Sequence, residues 1–326
     1  MTQAARLLVV VNYAAARARA AWPEVRGALD AAGVRFDAHE SIRPGETEAR
    51  TRRALTEGYD TVAVVGGDGT LSAAASGFFQ PCEGLGAGEA PSPVNPAAAL
   101  ALLPAGTGDD FARGLAGGRR EPRQAWLGRL VAHALGSSPA RPVDLLFGTT
   151  DAGRRPFVCL NAATLGIGAE VAARVAAQGR AVRRLSGEAR FALAAVRSLA
   201  AWRNRRALIE LDGRLWRECR TNLIAVVNGP FAGGGMNFVP AARPDDGLLD
   251  VATACGLSRA RVVRELARVH RAGHLANPKV LLAAGSRLRI ETPDEDDSLP
   301  LEADGDPRGH TPVELRVMPA ALRVVF

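Results

Sequence analysis

Two glycine-rich turns, each directly after an apolar run, constrain the fold of this chain more than any other feature. The first lies in VAVVGGDGTL (Val62–Leu71) and the second in LPAGTGDDFAR (Leu103–Arg113). A strand that ends in glycines lets backbone N–H groups approach an anion, and Thr70 can open a helix there. Asp68 would repel a polyphosphate unless Mg²⁺ or a proton intervenes, so GGDGT indicates a magnesium–nucleotide site. A tight strand-to-helix turn without a ligand is the alternative.

The N-terminal part, residues 1–139, alternates short β-type runs with helical ones, which is the pattern of a βαβ sheet. The expected strands are Leu7–Val11, Val34–His39, Thr61–Val65 and Ala98–Leu103, and the expected helices are Ala14–Ala32, Glu46–Glu57 and Leu71–Phe79. Right-handed crossovers would make this sheet parallel. Because ligands bind beyond the carboxyl ends of strands in open parallel sheets, we expect both glycine turns to meet in one crevice.

The remainder, residues 140–326, is expected to form a β-rich second domain with one helical interruption, Glu170–Trp202, because many short strands are separated by turn residues. The clearest hairpin joins Leu208–Leu211 to Leu215–Glu218 through Asp212-Gly213, a pair typical of type I′ turns. The chain is predicted to end in two strands, Val313–Val317 and Leu322–Phe326, the last of which can return to the N-terminal domain.

Composition places the protein among soluble or membrane-peripheral globular chains. Of its 326 residues 47% are hydrophobic and 23% charged, and no segment approaches the ~18 apolar residues of a membrane span. The four cysteines include no CxxC pair, so neither a disulfide framework nor a zinc cluster is indicated, and a reducing cytosol fits best.

The basic residues restrict how a nucleotide could be bound. Of 41 basic residues only Lys279 is a lysine, and it follows Pro278 in an expected loop. This excludes a P-loop and a protein-kinase-type site, both of which need a lysine at a defined position. The net charge of +7 favours an anionic partner such as a membrane surface or a nucleotide, although a GC-rich genome alone would also enrich arginine. Aromatic content of 5%, with no basic stripe among aromatics, argues against nucleic acid.

Two acidic segments could carry chemistry. The alternating run Leu299–Ala303 delivers Asp304-Gly305-Asp306 to a tight turn, where a rigid carboxylate could deprotonate an alcohol that attacks a phosphoryl group. PDDGLLD, at Pro244–Asp250, places carboxylates and backbone carbonyls where a hard cation could bind. Solvated turn acids are the alternative for both segments.

A membrane-facing surface is conceivable at the helix Glu188–Trp202, which is amphipathic and is followed by three arginines, Arg203, Arg205 and Arg206. Packing of this helix on the sheet is the default, and contact with an anionic membrane is the alternative.

Taken in order, these motifs resemble those of the diacylglycerol kinase catalytic-domain family, specifically the small soluble bacterial lipid kinases related to sphingosine and ceramide kinases. The matching segments are GGDGT (Gly66–Thr70), PAGTGDDFAR (Pro104–Arg113), NAATLGIGAEV (Asn161–Val171), GGGM (Gly233–Met236), DDGLLDV (Asp245–Val251) and ADGD (Ala303–Asp306). NAD kinases and phosphofructokinases also carry GGDGT, so the specificity lies in the ordered set.

The resemblance implies an α/β N-terminal domain with a parallel sheet, a C-terminal β-sandwich, and ATP with Mg²⁺ in the cleft between them. The implied acceptor is a lipid hydroxyl, with diacylglycerol giving phosphatidic acid as the leading reaction, at the cytoplasmic side of a membrane. The implied partner is thus a membrane lipid, and a homodimer is left open. Residues implied at the nucleotide site are Asn12, Gly66, Gly67, Asp68, Gly69, Thr70, Gly106, Thr107 and Asp306. Asp304 matches the expected general base, and Asp245, Asp246 and the Leu248 carbonyl match a second, structural Mg²⁺ site.

Several departures from the family pattern bear on activity. Ser72-Ala73 stands where relatives often have Asn-Glu, Asp109 stands where asparagine is common, and Asp306 replaces a glutamate. The missing acid at Ala73 motivates an alternative function, a non-catalytic membrane sensor that holds nucleotide or lipid. An NAD kinase is the other alternative, and the DDGLLDV and ADGD segments disfavour it. Catalysis requires that Asp68 and Asp304 face each other across a shared gap.

Overall fold

The computed structural model describes residues 6–82, 85, 89–150, 155–178 and 187–326. Its helices are α1 Ala16–Ala31, α2 Glu46–Thr56, α3 Asp68–Ser76, α4 Asp110–Leu115, α5 Arg123–Ala134, α6 Ile167–Ala176, α7 Gly187–Ala201 and α8 Arg259–Val269. Its strands are β1 Leu7–Asn12, β2 Phe36–Ser41, β3 Thr61–Gly66, β4 Ala99–Pro104, β5 Arg141–Thr150, β6 Arg155–Cys159, β7 Ala162–Gly166, β8 Arg205–Leu211, β9 Arg214–Val227, β10 Phe231–Ala232, β11 Met236–Asn237, β12 Leu249–Cys255, β13 Val280–Gly285, β14 Arg287–Glu291, β15 Pro300–Ala303, β16 Asp306–His310 and β17 Val313–Val325. None of the helices in this described part is both long and apolar enough to cross a bilayer.

The N-terminal sheet has the order β2-β1-β3-β4, and all its neighbouring strands are parallel, as the sequence predicts. Strands β1, β3 and β4 are apolar and buried along almost their whole length, because helices cover both faces of a parallel sheet. The carboxyl ends of β3 and β4 lie side by side, since Gly66 pairs with Pro104. Both glycine turns therefore leave the sheet at the same edge.

The C-terminal part is dominated by antiparallel strands. The predicted hairpin is confirmed: β8 and β9 are joined by Asp212 (φ 50°) and Gly213 (φ 77°), the two positive values that a type I′ turn requires. The sequence pattern predicts Asn222–Val227 as a strand separate from Leu215–Glu218, which is wrong, because the residues between them keep their backbone pairing to β8 and β12 and β9 is continuous.

The last strand, β17, links the two halves of the molecule. The prediction of two final strands is wrong, because one strand runs from Val313 to Val325 with a register shift between Met318 and Leu322. Its first half pairs antiparallel with β14, and Arg323–Val325 pair in parallel with β4. Fifteen of the described strands, from both halves, consequently belong to one hydrogen-bonded sheet, and β10 and β11 pair separately.

Helix α8 is a second helical interruption that the sequence pattern missed. Its apolar positions Val262, Leu266 and Val269 follow the spacing of one helix face, and charged residues such as Arg264 and Arg268 stand between them, so the amphipathic period was present in the sequence. The helix lies between β12 and β13, which pair directly with each other.

A disulfide joins Cys219 and Cys255, so the prediction that the cysteines form no disulfide is wrong. The two residues are 36 positions apart, a separation with no recognisable spacing signal. Antiparallel pairing of β9 with β12 brings their Cα atoms to 5.8 Å, within the ordinary range for a disulfide.

Candidate active site

The two glycine turns touch through their backbones. A Cβ built on Gly67 would lie 3.0 Å from the Cα of Gly106, and one built on Gly106 would lie 2.7 Å from the Cα of Gly67. Arg17, from α1, donates a hydrogen bond to the Gly106 carbonyl at 2.9 Å. Glycine is required here because the two turns approach more closely than any side chain permits.

The end of β1 joins the same cluster. The Asn12 side-chain amide donates to the Thr70 hydroxyl at 2.8 Å, and its carbonyl accepts the Ala15 N–H at 3.2 Å. Asn12 thereby orders its own turn and fixes the first turn of α3. The structure thus brings together five of the residues that the resemblance implied for the nucleotide: Asn12, Gly66, Gly67, Thr70 and Gly106.

Two carboxylates face each other behind the glycine turns. Asp68 accepts the Phe111 N–H at 3.2 Å, and the buried Asp110 accepts the Gly234 N–H at 2.7 Å. A Cβ on Gly108 would meet a carboxylate oxygen of each, at 2.9 Å from Asp68 and 3.3 Å from Asp110. Burial, reinforced by the charge of Asp110, raises the pKa of Asp68 to about 6, and burial also raises the pKa of Asp110.

This acidic pair fits a magnesium ion. The Oδ1 atom of Asp110 is buried and has no hydrogen-bond partner, although a buried carboxylate oxygen normally has one. Among the described residues no three histidine, cysteine or acidic side chains form a complete metal cage. Mg²⁺ needs none, because it usually takes one or two carboxylates and completes its shell with water and substrate phosphates. Asp68 and Asp110 are therefore suitable ligands for the Mg²⁺ of a nucleotide.

Asp304 lies at the tip of the β15–β16 hairpin, in a left-handed backbone conformation (φ 51°). Its carboxylate is immobilised, since it accepts hydrogen bonds from both domains. The donors are the Ser72 hydroxyl at 2.7 Å, the backbone N–H groups of Leu160, Asn161 and Ala162 at 2.7, 3.0 and 3.1 Å, and the Cys159 thiol at 3.5 Å. With this many donors its lone pairs are fully used.

The contact of Asp304 with Ser72 shows how far Asp304 lies from Asp68. Ser72 lies four residues after Asp68 on α3, which is about one helical turn or ~6 Å along the axis. The structure therefore places Asp304 one turn away from Asp68, across the cleft between the two halves of the chain. Ser72, noted in the sequence only as a departure, makes this connection.

Three other implied nucleotide residues lie in solvent. Thr107 and Gly69 are exposed, and the Thr107 carbonyl accepts a hydrogen bond from Arg120 at 3.2 Å. The Asp306 side chain is 76% exposed and faces Arg308 at 3.6 Å. Any contact of these three residues with a bound nucleotide would therefore be at the exposed edge of the site.

The DDGLLD turn forms a separate acidic site. Asp245 is paired with Arg243 at 3.1 Å, and Asp246 accepts the Leu248 N–H at 3.0 Å. The turn wraps around buried Asp144, which accepts the N–H groups of Gly247 and Ala320, each at 2.7 Å. Asp144 is absent from the sequence prediction because its strand position carries no motif.

Glu302 is a second residue that the sequence reasoning missed. It is only 9% exposed, accepts the Thr164 hydroxyl and the Gly305 N–H, both at 2.7 Å, and lies two residues before Asp304. Burial, with the charge of Asp304 adding to it, raises the pKa of Glu302 to about 7. The available signal was that an acid near the end of β15 stands two positions before Asp304.

Comparison with known proteins matches both halves of the chain. Residues 6–145 match the diacylglycerol kinase catalytic domain, and residues 164–326 match the YegS C-terminal NAD kinase beta sandwich-like domain. The "Probable lipid kinase YegS-like" of Pseudomonas aeruginosa is 30% identical over 92% of this chain and 89% of its own length. The protein of the same name from Stenotrophomonas maltophilia is 29% identical over 90% and 87%.

A solved structure agrees on the fold. The crystal structure of a diacylglycerol kinase from Bacillus anthracis superposes with a TM-score of 0.67, covering 100% of this chain and 98% of that one at 18% identity. The architecture is accordingly an α/β domain with parallel strands followed by a β-sandwich-like domain, as the resemblance implied.

Proposed function

This chain belongs to the diacylglycerol kinase catalytic-domain family and carries the C-terminal domain of the YegS-like lipid kinases, and from this membership we propose that it transfers the γ-phosphate of ATP to a lipid hydroxyl. The observation that supports this most directly is the contact of Ser72 with Asp304. Through this contact Asp304, on the proposed acceptor side, lies about one helical turn from Asp68, on the proposed nucleotide side.

On the nucleotide side, the backbones of the two turns meet at Gly67 and Gly106, and the second turn is fixed by Arg17 and by the Gly106 N–H, which donates to Asp109 at 2.9 Å. Asp68 and Asp110 would hold the Mg²⁺, which when bound neutralises phosphate charge during transfer. Burial raises the pKa of both carboxyl groups, and the charge of Asp110 raises that of Asp68 further. A cation between the two carboxylates would cancel their mutual repulsion, so binding of metal–nucleotide would relieve an electrostatic cost of the free protein.

On the acceptor side, we propose that Asp304 accepts the proton of the attacking lipid hydroxyl. Its carboxylate already has five donors, so the lipid hydroxyl must displace one of them. The Ser72 hydroxyl is the mobile one, because it can rotate away, whereas the backbone N–H groups are fixed in the fold. The lipid hydroxyl then donates its proton to Oδ2 as its oxygen attacks the γ-phosphorus and the bond to ADP breaks.

An apolar cavity in the C-terminal domain supports a lipid acceptor. Its volume is about 50 Å³ and its lining is mostly apolar. Ile167 at its wall follows β7, whose first residue, Ala162, accepts the Asp304 N–H at 2.9 Å. Four strand residues span about 13 Å, so the cavity lies at roughly that distance from Asp304 along β7.

We take diacylglycerol as the leading acceptor, with phosphatidic acid as product, and place the enzyme at the cytoplasmic surface of a membrane, where ATP and such a lipid meet. The identity of the acceptor rests on the family alone.

The test is transfer of label from [γ-³²P]ATP to diacylglycerol, a sphingoid base, a prenyl alcohol and NAD in separate reactions. Labelled phosphatidic acid is the expected product. Labelling of NAD alone would make the protein an NAD kinase. Vesicle binding without ADP release in any reaction would make it a non-catalytic sensor.

The Asp304→Asn variant tests the proposed base, because asparagine keeps the shape and cannot take a proton. We expect kcat to fall by about 10² to 10⁴. Asp30→Asn, an equal change at an exposed position of α1, is the control and should match the unmodified protein. If Asp304→Asn turns over normally while folding normally, Asp304 is not the base.

A further inference from the structure

Exposed apolar side chains concentrate around α8. Three of the eight large hydrophobic side chains that are exposed in the described part of the chain are Val263 (52%), Leu275 (36%) and Leu282 (43%). Val263 lies on α8, Leu275 in the short 3₁₀ helix Gly273–Ala276 that packs against it, and Leu282 on β13. We call the surface formed by residues 259–282 the α8 surface.

Most of the net positive charge of the protein lies in the same segment. Residues 259–282 contain six basic side chains and one acid, in a chain whose net charge is +7. The acid, Glu265, is buried and shared by Arg264 and Arg268 at 3.2 and 3.3 Å. Arg261 and Arg271 are exposed. The α8 surface is therefore basic as well as apolar.

This surface covers the apolar cavity. The inward side chains of α8, including Val262, Leu266 and Val269, line the cavity, while Val263 of the same helix faces out. Leu282 pairs with the cavity-lining Ala252, so it lies on the sheet face that bears α8, at the edge strand. One helix thus separates the cavity from the surrounding medium.

The alternative basic patch after α7 is less available for a membrane. Arg203 faces buried Asp297 at 3.5 Å, and Arg206 is paired with Glu218. Both cations are engaged by acids of neighbouring elements, and the patch has no cluster of exposed apolar side chains comparable to that of the α8 surface. The side chains at the start of α7 lie outside the described residues.

We propose that the α8 surface docks on an anionic lipid bilayer, with Val263, Leu275 and Leu282 entering the headgroup region and Arg261 and Arg271 contacting lipid phosphates. Apolar side chains among cations favour a membrane over nucleic acid, which would be met by cations and stacking aromatics. The inference deepens the proposed function, because docking there would put the cavity next to the bilayer. It concerns binding alone, so it can hold or fail independently of catalysis.

The experiment is co-sedimentation of the full chain, without ATP, with vesicles of phosphatidylcholine alone or mixed with phosphatidylglycerol. We expect binding to the mixed vesicles, weakened by salt. The double variant Arg261→Glu/Arg271→Glu should lower the partition coefficient at least about tenfold, because two attractive charges near an anionic surface become repulsive. Leu275→Ser/Leu282→Ser should lower it several-fold while leaving the salt dependence unchanged.

The matched control is Arg214→Glu/Arg217→Glu, which makes the same charge change at two exposed positions of β9. It should lower the partition coefficient much less than the α8 variant. Equal losses in the two variants would show that only overall charge matters and would overturn the proposal. So would failure of the unmodified chain to bind mixed vesicles, or α8-dependent binding to a single-stranded oligonucleotide instead. Vesicle binding that depends on α8 in a chain without lipid kinase activity would refute the proposed function and leave this inference intact.

Discussion

At the scale of single residues, two neighbouring carboxylates make the site electrostatically unfavourable in the absence of a cation. Asp68 and Asp110 are held together in a poorly solvated place, and one Asp110 oxygen has no hydrogen-bond donor. Buried charge that is only partly compensated destabilises a fold, and Mg²⁺ held by the two acids would offset this cost.

Asp110→Asn should therefore separate stability from activity. The amide can still accept the Gly234 N–H and can donate toward Asp68, which removes the repulsion. We expect stability to rise by roughly 1 kcal/mol and kinase activity to be largely lost. Urea unfolding without metal measures the first effect and initial rates the second. A destabilised variant would show that repulsion between the acids is unimportant.

Glu302 gives a pH prediction. Its pKa is raised in the folded protein to about 7 from an ordinary 4.5, so the folded state binds an extra proton between these values. Its contribution makes stability fall as pH rises from about 4.5 to 7, by an amount on the order of 3 kcal/mol. Glu302→Gln should lose this part of the pH dependence and keep the acceptor for Gly305. Unfolding curves at several pH values measure it, and identical pH profiles for the two proteins would contradict it.

At the scale of elements, the start of α3 shows why the glycines of one motif are not equivalent. A Cβ on Gly67 would press on the Gly106 backbone, whereas one on Gly69 would meet nothing within 4 Å. At position 67 glycine is therefore required for packing. At position 69 there is room for a side chain, and alanine would favour the helix more than glycine does.

The substitutions Gly67→Ala and Gly69→Ala should consequently have opposite signs. Gly67→Ala forces the two turns apart and should destabilise the protein by about 1 to 3 kcal/mol. Gly69→Ala lies inside α3 and should stabilise it by about 0.5 to 1 kcal/mol. Thermal unfolding of the ligand-free proteins compares them directly. Equal effects would mean that the turns do not meet as described.

At the scale of the whole molecule, two features hold the cleft in one geometry. Strand β17 hydrogen-bonds to β4 of the N-terminal sheet and to β14 of the C-terminal part. Across the cleft, Ser72 of α3 binds Asp304. A change at either place is expected to act on both halves.

Ser72→Ala tests this coupling. Hydrogen bonds to charged groups contribute about 1.5 to 3 kcal/mol, and Asp304 keeps its other donors, so we expect a loss of about 1 to 2 kcal/mol. Because the lipid hydroxyl displaces the Ser72 hydroxyl in the proposed reaction, the variant spares that displacement, so kcat should be retained while stability falls. Ser76→Ala, one turn later on α3, is the control. If Ser76→Ala has the same effect, the loss reflects the helix and not the contact.

Much of the fold could be predicted from the sequence. Apolar runs of β1, β3 and β4 and the glycines after them identify a parallel sheet with both turns at one edge, because these signals are local. Helix α8 was overlooked although its apolar residues follow one helix face, and β17 was divided because its register shift reads as a break.

The sequence by itself determined the chemistry available to this protein, since Asp68, Asp304 and the glycine turns can be read from motifs whose meaning lies within a few residues. Only the tertiary structure decided the geometry of the site. It brought Ser72 to Asp304, buried Glu302 beside that acid, and joined Cys219 to Cys255. The physical reason is that these contacts link residues far apart in the chain, and their partners are set by strand register and packing, which local patterns do not encode.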